Sequence, residues 1–261
     1  MFIEIAPRRL VATAAIMLLG VVPARGVAQG ASEHIAAGDR EHAAMNATAA
    51  LQHYEVAIKA DPKNYEALWK ATREAVDVGE FNPSAAERDR MYTLAEQYAR
   101  RAVDANPGDA EGHFHLARAL GRKALSLGKR DQVKYAGDVR TQALEALRLD
   151  PKSAGAQHVM GMWNYNIMRL SGVTRFMAKT FLGGKVFDTA NWDDAQRYME
   201  QSVANEPDRL VHHLDLARVY AARDMPDKAR AQYQATIEGS PTEYNDKPFQ
   251  DEARKELADL H

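Results

Sequence analysis

Apolar and small residues recur at helical spacing along most of the chain, and short polar segments ending in proline interrupt them. Five of these segments read KADP, DANP, RLDP, ANEP and EGSP, and they end at Pro62, Pro107, Pro151, Pro207 and Pro241. The successive prolines lie 45, 44, 56 and 34 residues apart. Because proline ends a helix, this spacing predicts a chain of helix pairs, each pair closed by a proline.

Two segments carry the same residue types at the same positions of a 34-residue unit. In residues 31–64 and 210–243, small residues stand at positions 8 and 20, tyrosine at position 24 and proline at position 32. Small residues let two helices approach closely, and the tyrosine fills the space between units. The pattern resembles the tetratricopeptide repeat (TPR) over about 31–243. The other units carry the same marks with 10, 11 or 22 extra residues.

The predicted fold is all-α: an α-solenoid of about five TPR-like helix pairs with a C-terminal capping helix. The cap covers Asp246–Leu260, with Asp246 expected as its N-cap. A single TPR-like domain is expected over 29–261, with an insert at 168–190 in the fourth repeat. The 22 surplus residues of that repeat supply the insert.

The N-terminus predicts a signal peptide over residues 1–28. Arg8 and Arg9 precede the apolar run Leu10–Val22, and Gly26-Val27-Ala28 is a small-x-small cleavage pattern. The alternative is a retained membrane anchor, although a 13-residue run gives only about 20 Å of helix. Cleavage predicts export to the periplasm or the extracellular space. The chain has no cysteine, so its stability must come from helix packing without disulfides.

The first helices of the repeats are expected to line a concave groove. Positions 5, 9 and 12 of each unit face it, and the groove residues expected from this register are Trp69, Arg73, Phe114, Arg118, His158, Tyr165 and Arg218. Arginines beside aromatic rings suit a carboxylate or phosphate on an apolar body, such as a peptide terminus or an anionic lipid. The alternative is that the arginines only pair with Glu66, Asp77, Glu111 or Asp215.

The insert has an amphipathic pattern of its own. Phe176 and Phe181 share one side of a helical wheel and Lys179 lies on another. The pattern fits a lid over the groove, an interfacial membrane helix or additional core packing.

A narrower resemblance covers about 107–258. The motifs that carry it are Gly161-Met-Trp163-Asn-Tyr165, Leu170-Ser171, Asp194-Ala195-x-x-x-Met199, Ala217-Arg218-Val219-Tyr220 and Asn245-Asp246-x-x-Phe249. Together they are similar to the TPR domain of the regulator of microtubule dynamics family. The resemblance implies a non-enzymatic helical-repeat domain. Its eukaryotic relatives are linked to microtubules and, in one case, to phospholipid binding at membrane contacts. A signal peptide departs from that setting.

The sequence offers no catalytic, metal or cofactor motif. Nine histidines include no HExxH motif and no i,i+4 pair, and the lysines after glycine lack the phosphate-loop pattern. A formal net charge of −2 gives no reason to expect nucleic acid. The predicted function is an exported scaffold that holds a partner protein or peptide in the groove. The alternative is a lipid-binding or lipid-transfer protein that uses the groove and the insert.

Overall fold

A computed structural model of the chain describes residues 24–127, 129–172 and 185–260. Within these ranges the chain forms eleven α-helices, a short 3₁₀ helix and no strand. The α-helices are α1 (Ala24–Ala43), α2 (Ala47–Ala60), α3 (Tyr65–Glu80), α4 (Ala85–Ala105), α5 (Ala110–Ser126), α6 (Lys129–Leu149), α7 (Ala154–Met168), α8 (Trp192–Asn205), α9 (Leu210–Ala222), α10 (Pro226–Glu238) and α11 (Asp246–Ala258). The 3₁₀ helix η1 is Lys185–Thr189.

The helices stack as antiparallel pairs in chain order. Each odd-numbered helix from α1 to α9 packs on the helix that follows it, and each even-numbered helix packs on the first helix of the next pair. The odd-numbered helices α3, α5, α7, α9 and α11 also contact one another in succession, so they form the inner layer of the stack. The predicted all-α solenoid of five helix pairs with a C-terminal helix is confirmed.

The proline turns start the next helix as well as ending the previous one. Asn64, Asp109 and Ser153 each stand two residues after a repeat proline, and each side chain accepts a hydrogen bond from a backbone N–H in the first turn of its helix. Such N-caps typically stabilise a helix by about 1 kcal/mol. Helix boundaries are therefore set by a four-residue local signal, which explains why the sequence locates them closely.

A recurring side-chain hydrogen-bond pattern connects three of these turns to the helices of the stack. The side chain six residues after the proline bonds the proline carbonyl: His113 to Pro107, Gln157 to Pro151 and His213 to Pro207, at 2.7–3.0 Å. The same three side chains bond a side-chain amide on the partner helix, namely Gln142, Asn205 and Gln232 respectively. His113 and His213 thus have structural roles.

Small residues set the spacing within the helix pairs. A Cβ on Gly38 would lie 2.5 Å from the fully buried Tyr54 ring, and a Cβ on Gly161 would lie 2.6 Å from the Met199 side chain. The Tyr54 hydroxyl donates a hydrogen bond to Asp39 at 2.8 Å. The close approach expected at repeat position 8 is therefore present in the first and fourth pairs.

Two predicted features fall largely outside the described residues. The expected signal peptide begins in residues 1–23, and its predicted cleavage site after Ala28 lies within α1. The insert residues Phe176, Lys179 and Phe181 also lie outside. In the part of the chain that the structure describes, no helix combines the length and the apolar character needed to span a membrane. The expected N-cap Asp246 is wrong by one residue, because Asn245 occupies the N-cap position of α11, although its side chain makes no capping hydrogen bond.

Candidate functional site

The inner helices enclose a cavity of about 560 Å³, here called the central cavity. Its walls come from α3, α5, α7, α9 and α11, with contributions from α6 and η1. The C-terminal helix closes the stack back onto the second repeat. The Asn245 side chain donates a hydrogen bond to the Asp77 carbonyl at 2.9 Å, and the Phe81 and Phe249 rings meet edge to face at 5.2 Å. The concave face is thus a ring of helices around a pocket, whereas the sequence predicted an open groove.

One wall of the central cavity is aromatic. Trp69 stacks on His115 at 5.3 Å with the rings 12° from parallel, and Phe114 lies 4.5 Å from the same imidazole. Phe114 rests on α7 at Gly155, where a Cβ would come within 2.3 Å of the phenyl ring. Trp69 and Phe114 both keep part of their surface exposed, so this wall offers flat apolar faces to an occupant.

The opposite wall is apolar and runs outward between α5, α6 and α7. It includes Val139, Trp163, Ile167 and Phe187, which are all buried. Trp163 donates its indole N–H to the Ala136 carbonyl at 2.8 Å, so its one polar atom is satisfied by the fold. These buried apolar side chains suit an apolar group.

The arginines of the cavity are held in ion pairs. Arg73 pairs with Glu74 at 2.7 Å, Arg118 with Asp77 at 2.5 Å, and Arg122 and Arg209 pair with carboxylates as well. The partners of Arg122 and Arg209 are Glu80 and Glu243 respectively. Burial opposes ionisation of Asp77, but the adjacent Arg118 guanidinium outweighs it and lowers the Asp77 pKa. The pairing that the sequence offered as an alternative is therefore present for Arg118, and Arg73 has a partner that it did not name.

Two histidines and an aspartate form the floor on the α7–α9 side. His158 donates a hydrogen bond to Asp215 at 2.8 Å, and its ring lies 4.9 Å from that of His212. Burial opposes ionisation of Asp215, yet His158 and Arg218 outweigh it and lower its pKa. Burial lowers the pKa of His212 well below the usual range, so this ring is neutral at pH 7.

A second depression, the side groove, adjoins the central cavity along α5, α7 and α9. Its lining includes Tyr165 and Arg218, and it shares Met162 and Asn166 with the central cavity. Arg218 pairs with Asp215, Glu252 and Glu256, and so anchors α11 to α9. Tyr165 is buried, with the Arg169 guanidinium over its ring at 5.3 Å.

The predicted groove residues thus divide into two sets. Trp69, Arg73, Phe114, Arg118 and His158 line the central cavity, whereas Tyr165 and Arg218 line only the side groove. Sequence reasoning missed Arg209 and His212, which also line the cavity, whereas Gly121 stands at groove position 12 of the third repeat and does line it. His212 lies three residues after the turn that begins the fifth repeat. In the register used, position 3 of the repeat does not face the groove, so a shift of one residue was enough to leave His212 out. The role of these residues in binding stays a prediction.

His158 and Asp215 form a hydrogen-bonded pair in the cavity lining, which also includes Ser153 and Lys152. Within the described ranges, no group of three or more histidine or acidic side chains is placed to hold a metal ion.

Comparison with known proteins identifies the family. The profile described as "Regulator of microtubule dynamics protein 1-3" matches residues 34–261. Regulator of microtubule dynamics protein 1 of Mus musculus is 23% identical over 197 residues, which cover 75% of this chain and 64% of that protein. The protein of the same name from Bos taurus is 24% identical over 148 residues, which cover 56% of this chain and 46% of that protein. The chain thus spans from about half to under two thirds of the length of these relatives.

A solved structure shows the same fold. A thermophilic TPR protein of Thermus thermophilus superposes with a TM-score of 0.59 at 21% identity, covering 86% of this chain and 99% of that one. A TPR-like fold suggests a protein-interaction scaffold. Because the family profile matches most of this chain, the chain belongs to the regulator of microtubule dynamics family.

Proposed function

We propose that the protein is an exported, non-enzymatic scaffold that holds a segment of a partner protein in the central cavity. The observation that carries the proposal is the cavity itself: about 560 Å³, walled by helices of four repeats and the cap. Its volume falls in the range of specific ligand sites, roughly 300–1,000 Å³. It suits one or two side chains of a partner better than a long peptide lying along an open groove.

The aromatic wall supports this function. Trp69 and Phe114 are partly exposed, and aromatic residues in partly enclosed pockets are typical of residues that dominate binding energy at protein interfaces. Their positions are fixed by His115 and Gly155, so the pocket is formed before any partner arrives. A preformed pocket lowers the entropy cost of association.

Site-specific photocrosslinking tests the proposal. A benzoylphenylalanine at Phe114 of the full chain should capture a discrete protein partner upon irradiation of living cells. The matched control is the same group at Val56, which is 41% exposed on α2 and lies outside the cavity. A protein adduct at 114 that is absent at 56 supports the scaffold. Equal adducts at both positions, or none at 114, would contradict it.

A lipid-binding function is the second candidate, and the apolar wall around Val139, Ile167 and Phe187 favours it. An acyl chain would bury its length against these side chains. Mass spectrometry of the purified protein under native conditions separates the two candidates, since a lipid carrier retains a lipid of defined mass. A protein free of lipid when isolated in gentle detergent-free buffer would count against this candidate.

Export is part of the proposal and has its own test. N-terminal sequencing of the mature protein from cell fractions should find Gln29 as the first residue in the periplasm or the medium. An intact Met1 terminus in the cytosolic fraction would refute export. In an exported protein, the microtubule role named for the relatives has no counterpart, so it is not proposed for this chain.

A further inference from the structure

The recess of the central cavity is created by a glycine inside a helix. Gly121 lies in the interior of α5 and lines the cavity, and a Cβ there would meet no atom within 4 Å. Glycine at an interior helix position costs about 1 kcal/mol relative to alanine. No neighbouring side chain requires this glycine, unlike Gly38 and Gly155, where a Cβ would collide. The vacancy beside Gly121 is therefore space that an occupant can fill.

The charges around that recess do not favour an anion. The side chains lining the cavity include seven carboxylates and five cations, and the four arginines among the cations are each paired with a carboxylate. The fifth cation, Lys152, is exposed in the turn before α7. An incoming carboxylate would reach Arg73, Arg118, Arg122 or Arg209 only by competing with the carboxylate already paired with that guanidinium, and breaking a largely buried pair is strongly unfavourable.

An unpaired hydrogen-bond acceptor borders the same wall. His115 is 3% exposed, its Nε2 lies 3.4 Å from the Glu111 carboxylate, and its Nδ1 has no partner among the described residues. Burial lowers the His115 pKa, so the ring is neutral, and the proton shared with Glu111 is on Nε2. Nδ1 therefore carries a lone pair. His212, also 3% exposed and lining the cavity, has an unpartnered Nδ1 too. Both nitrogens are buried from solvent, so they are not acceptors that an occupant reaches directly.

From the recess and the charge balance, we infer that the occupant is a partner segment with an uncharged apolar anchor flanked by basic residues. The anchor enters the space beside Gly121 against Phe114 and Met162. The flanking cations face the excess carboxylates of the rim, including Glu111 and Glu206. The inference rests on the proposed scaffold function and specifies the chemistry of its partner.

Selection from a random heptapeptide phage library on the immobilised full chain tests the inference. Two variants accompany the wild type: Gly121→Trp, which fills the recess, and Gly137→Trp on α6, where a Cβ also meets nothing within 4 Å but which does not line the cavity. Peptides that bind wild type and Gly137→Trp, and lose at least about tenfold in affinity on Gly121→Trp, occupy the recess. Circular dichroism checks that each variant folds. If Gly121→Trp does not fold, Gly121→Leu is used in its place.

The composition of the recess-dependent peptides decides the outcome. Leucine, phenylalanine or tryptophan flanked by lysine or arginine supports the inference. Flanks rich in aspartate or glutamate overturn it while leaving the scaffold function intact. If no enriched peptide depends on Gly121, the inference is overturned, and the photocrosslink at Phe114 decides separately whether the scaffold function stands. Fluorescence polarisation then compares two synthetic peptides that differ only in lysine or glutamate flanks; the lysine peptide should bind at least about tenfold more tightly at low salt, with a smaller ratio at high salt.

Discussion

Two glycines in this chain have opposite physical meanings. Gly38 is required because the buried Tyr54 ring occupies the place of its Cβ, whereas Gly121 faces open space in the central cavity. The same substitution at the two sites therefore separates packing from function.

Gly38→Ala should destabilise the fold by about 1–3 kcal/mol, because overpacking against a ring that cannot move outweighs the gain in helix propensity. Gly121→Ala should stabilise it by about 0.5–1 kcal/mol. Urea unfolding followed by circular dichroism measures both. Stabilisation by Gly38→Ala would show that the Tyr54 ring has room to shift.

Buried neutral histidine makes stability depend on pH. Burial lowers the pKa of His212 far below the value of about 6.5 in an unfolded chain. Below pH 6.5 the unfolded state therefore binds a proton that the folded state refuses, so stability falls as the pH falls. His158 and Arg209 add to the effect by repelling a charge on this ring.

His212→Asn should remove part of that pH dependence. Between pH 6.5 and 5.5 the variant should lose about 1 kcal/mol less unfolding free energy than the wild type, which is the linkage expected for one group over one pH unit. Urea titrations at both pH values provide the measurement, with each protein referenced to its own stability at pH 7.5. Parallel pH profiles for the two proteins would place the proton uptake on other groups.

At the scale of the elements, ion pairs and hydrogen bonds link odd-numbered helices to one another. The Asp39–Lys70 ion pair joins α1 to α3, the Asp77–Arg118 ion pair joins α3 to α5, and the His158–Asp215 hydrogen bond joins α7 to α9. Between α5 and α7 the packing of Phe114 on Gly155 takes this role.

Arg218 attaches the cap to the stack. It pairs with Asp215 on α9 and with Glu252 and Glu256 on α11, and it is about three quarters buried within the side groove. Arg218→Ala should cost about 2–4 kcal/mol, because it leaves Asp215 buried with a single partner. Arg254→Ala is the matched control on α11, since its pair with Asp251 is exposed and worth at most about 1 kcal/mol. Equal costs for the two changes in thermal unfolding would contradict this account.

The sequence predicts the elements well because their signals are local. Asn64, Ser153 and the repeat prolines fix helix ends within a few residues, and Gly38 with Tyr54 fixes the pairing within a repeat. The ion-pair partners of the groove arginines are harder to predict from the sequence, because they depend on the axial position of one helix relative to the next. Asp77 was named as a partner and Glu74 was not, although Glu74 adjoins Arg73 in the chain.

At the scale of the whole molecule, closure of the ring could not be predicted from the sequence. The Asn245–Asp77 hydrogen bond joins residues 168 positions apart, and it forms only because small rotations between repeats add up over four helix pairs. No local sequence motif encodes the total rotation accumulated along the repeats. The closure turns a concave surface into a partly open cavity of limited volume, and so limits the size of the group that the protein can hold.

The contact between Phe81 and Phe249 tests this closure directly. Phe81 is the C-cap of α3 and is only partly buried, whereas Phe249 belongs to the core beneath α11. A double-mutant cycle with Phe81→Ala and Phe249→Ala should give a coupling free energy of about 0.5–1.5 kcal/mol, as for edge-to-face aromatic pairs. The control cycle pairs Phe81→Ala with Ile58→Ala, which lies in the separate core of the first repeats and should show no coupling beyond about 0.5 kcal/mol. If Phe81 and Phe249 also prove additive, the cap does not contact the second repeat in solution. The cavity would then be an open groove, and the size limit on its occupant would no longer hold.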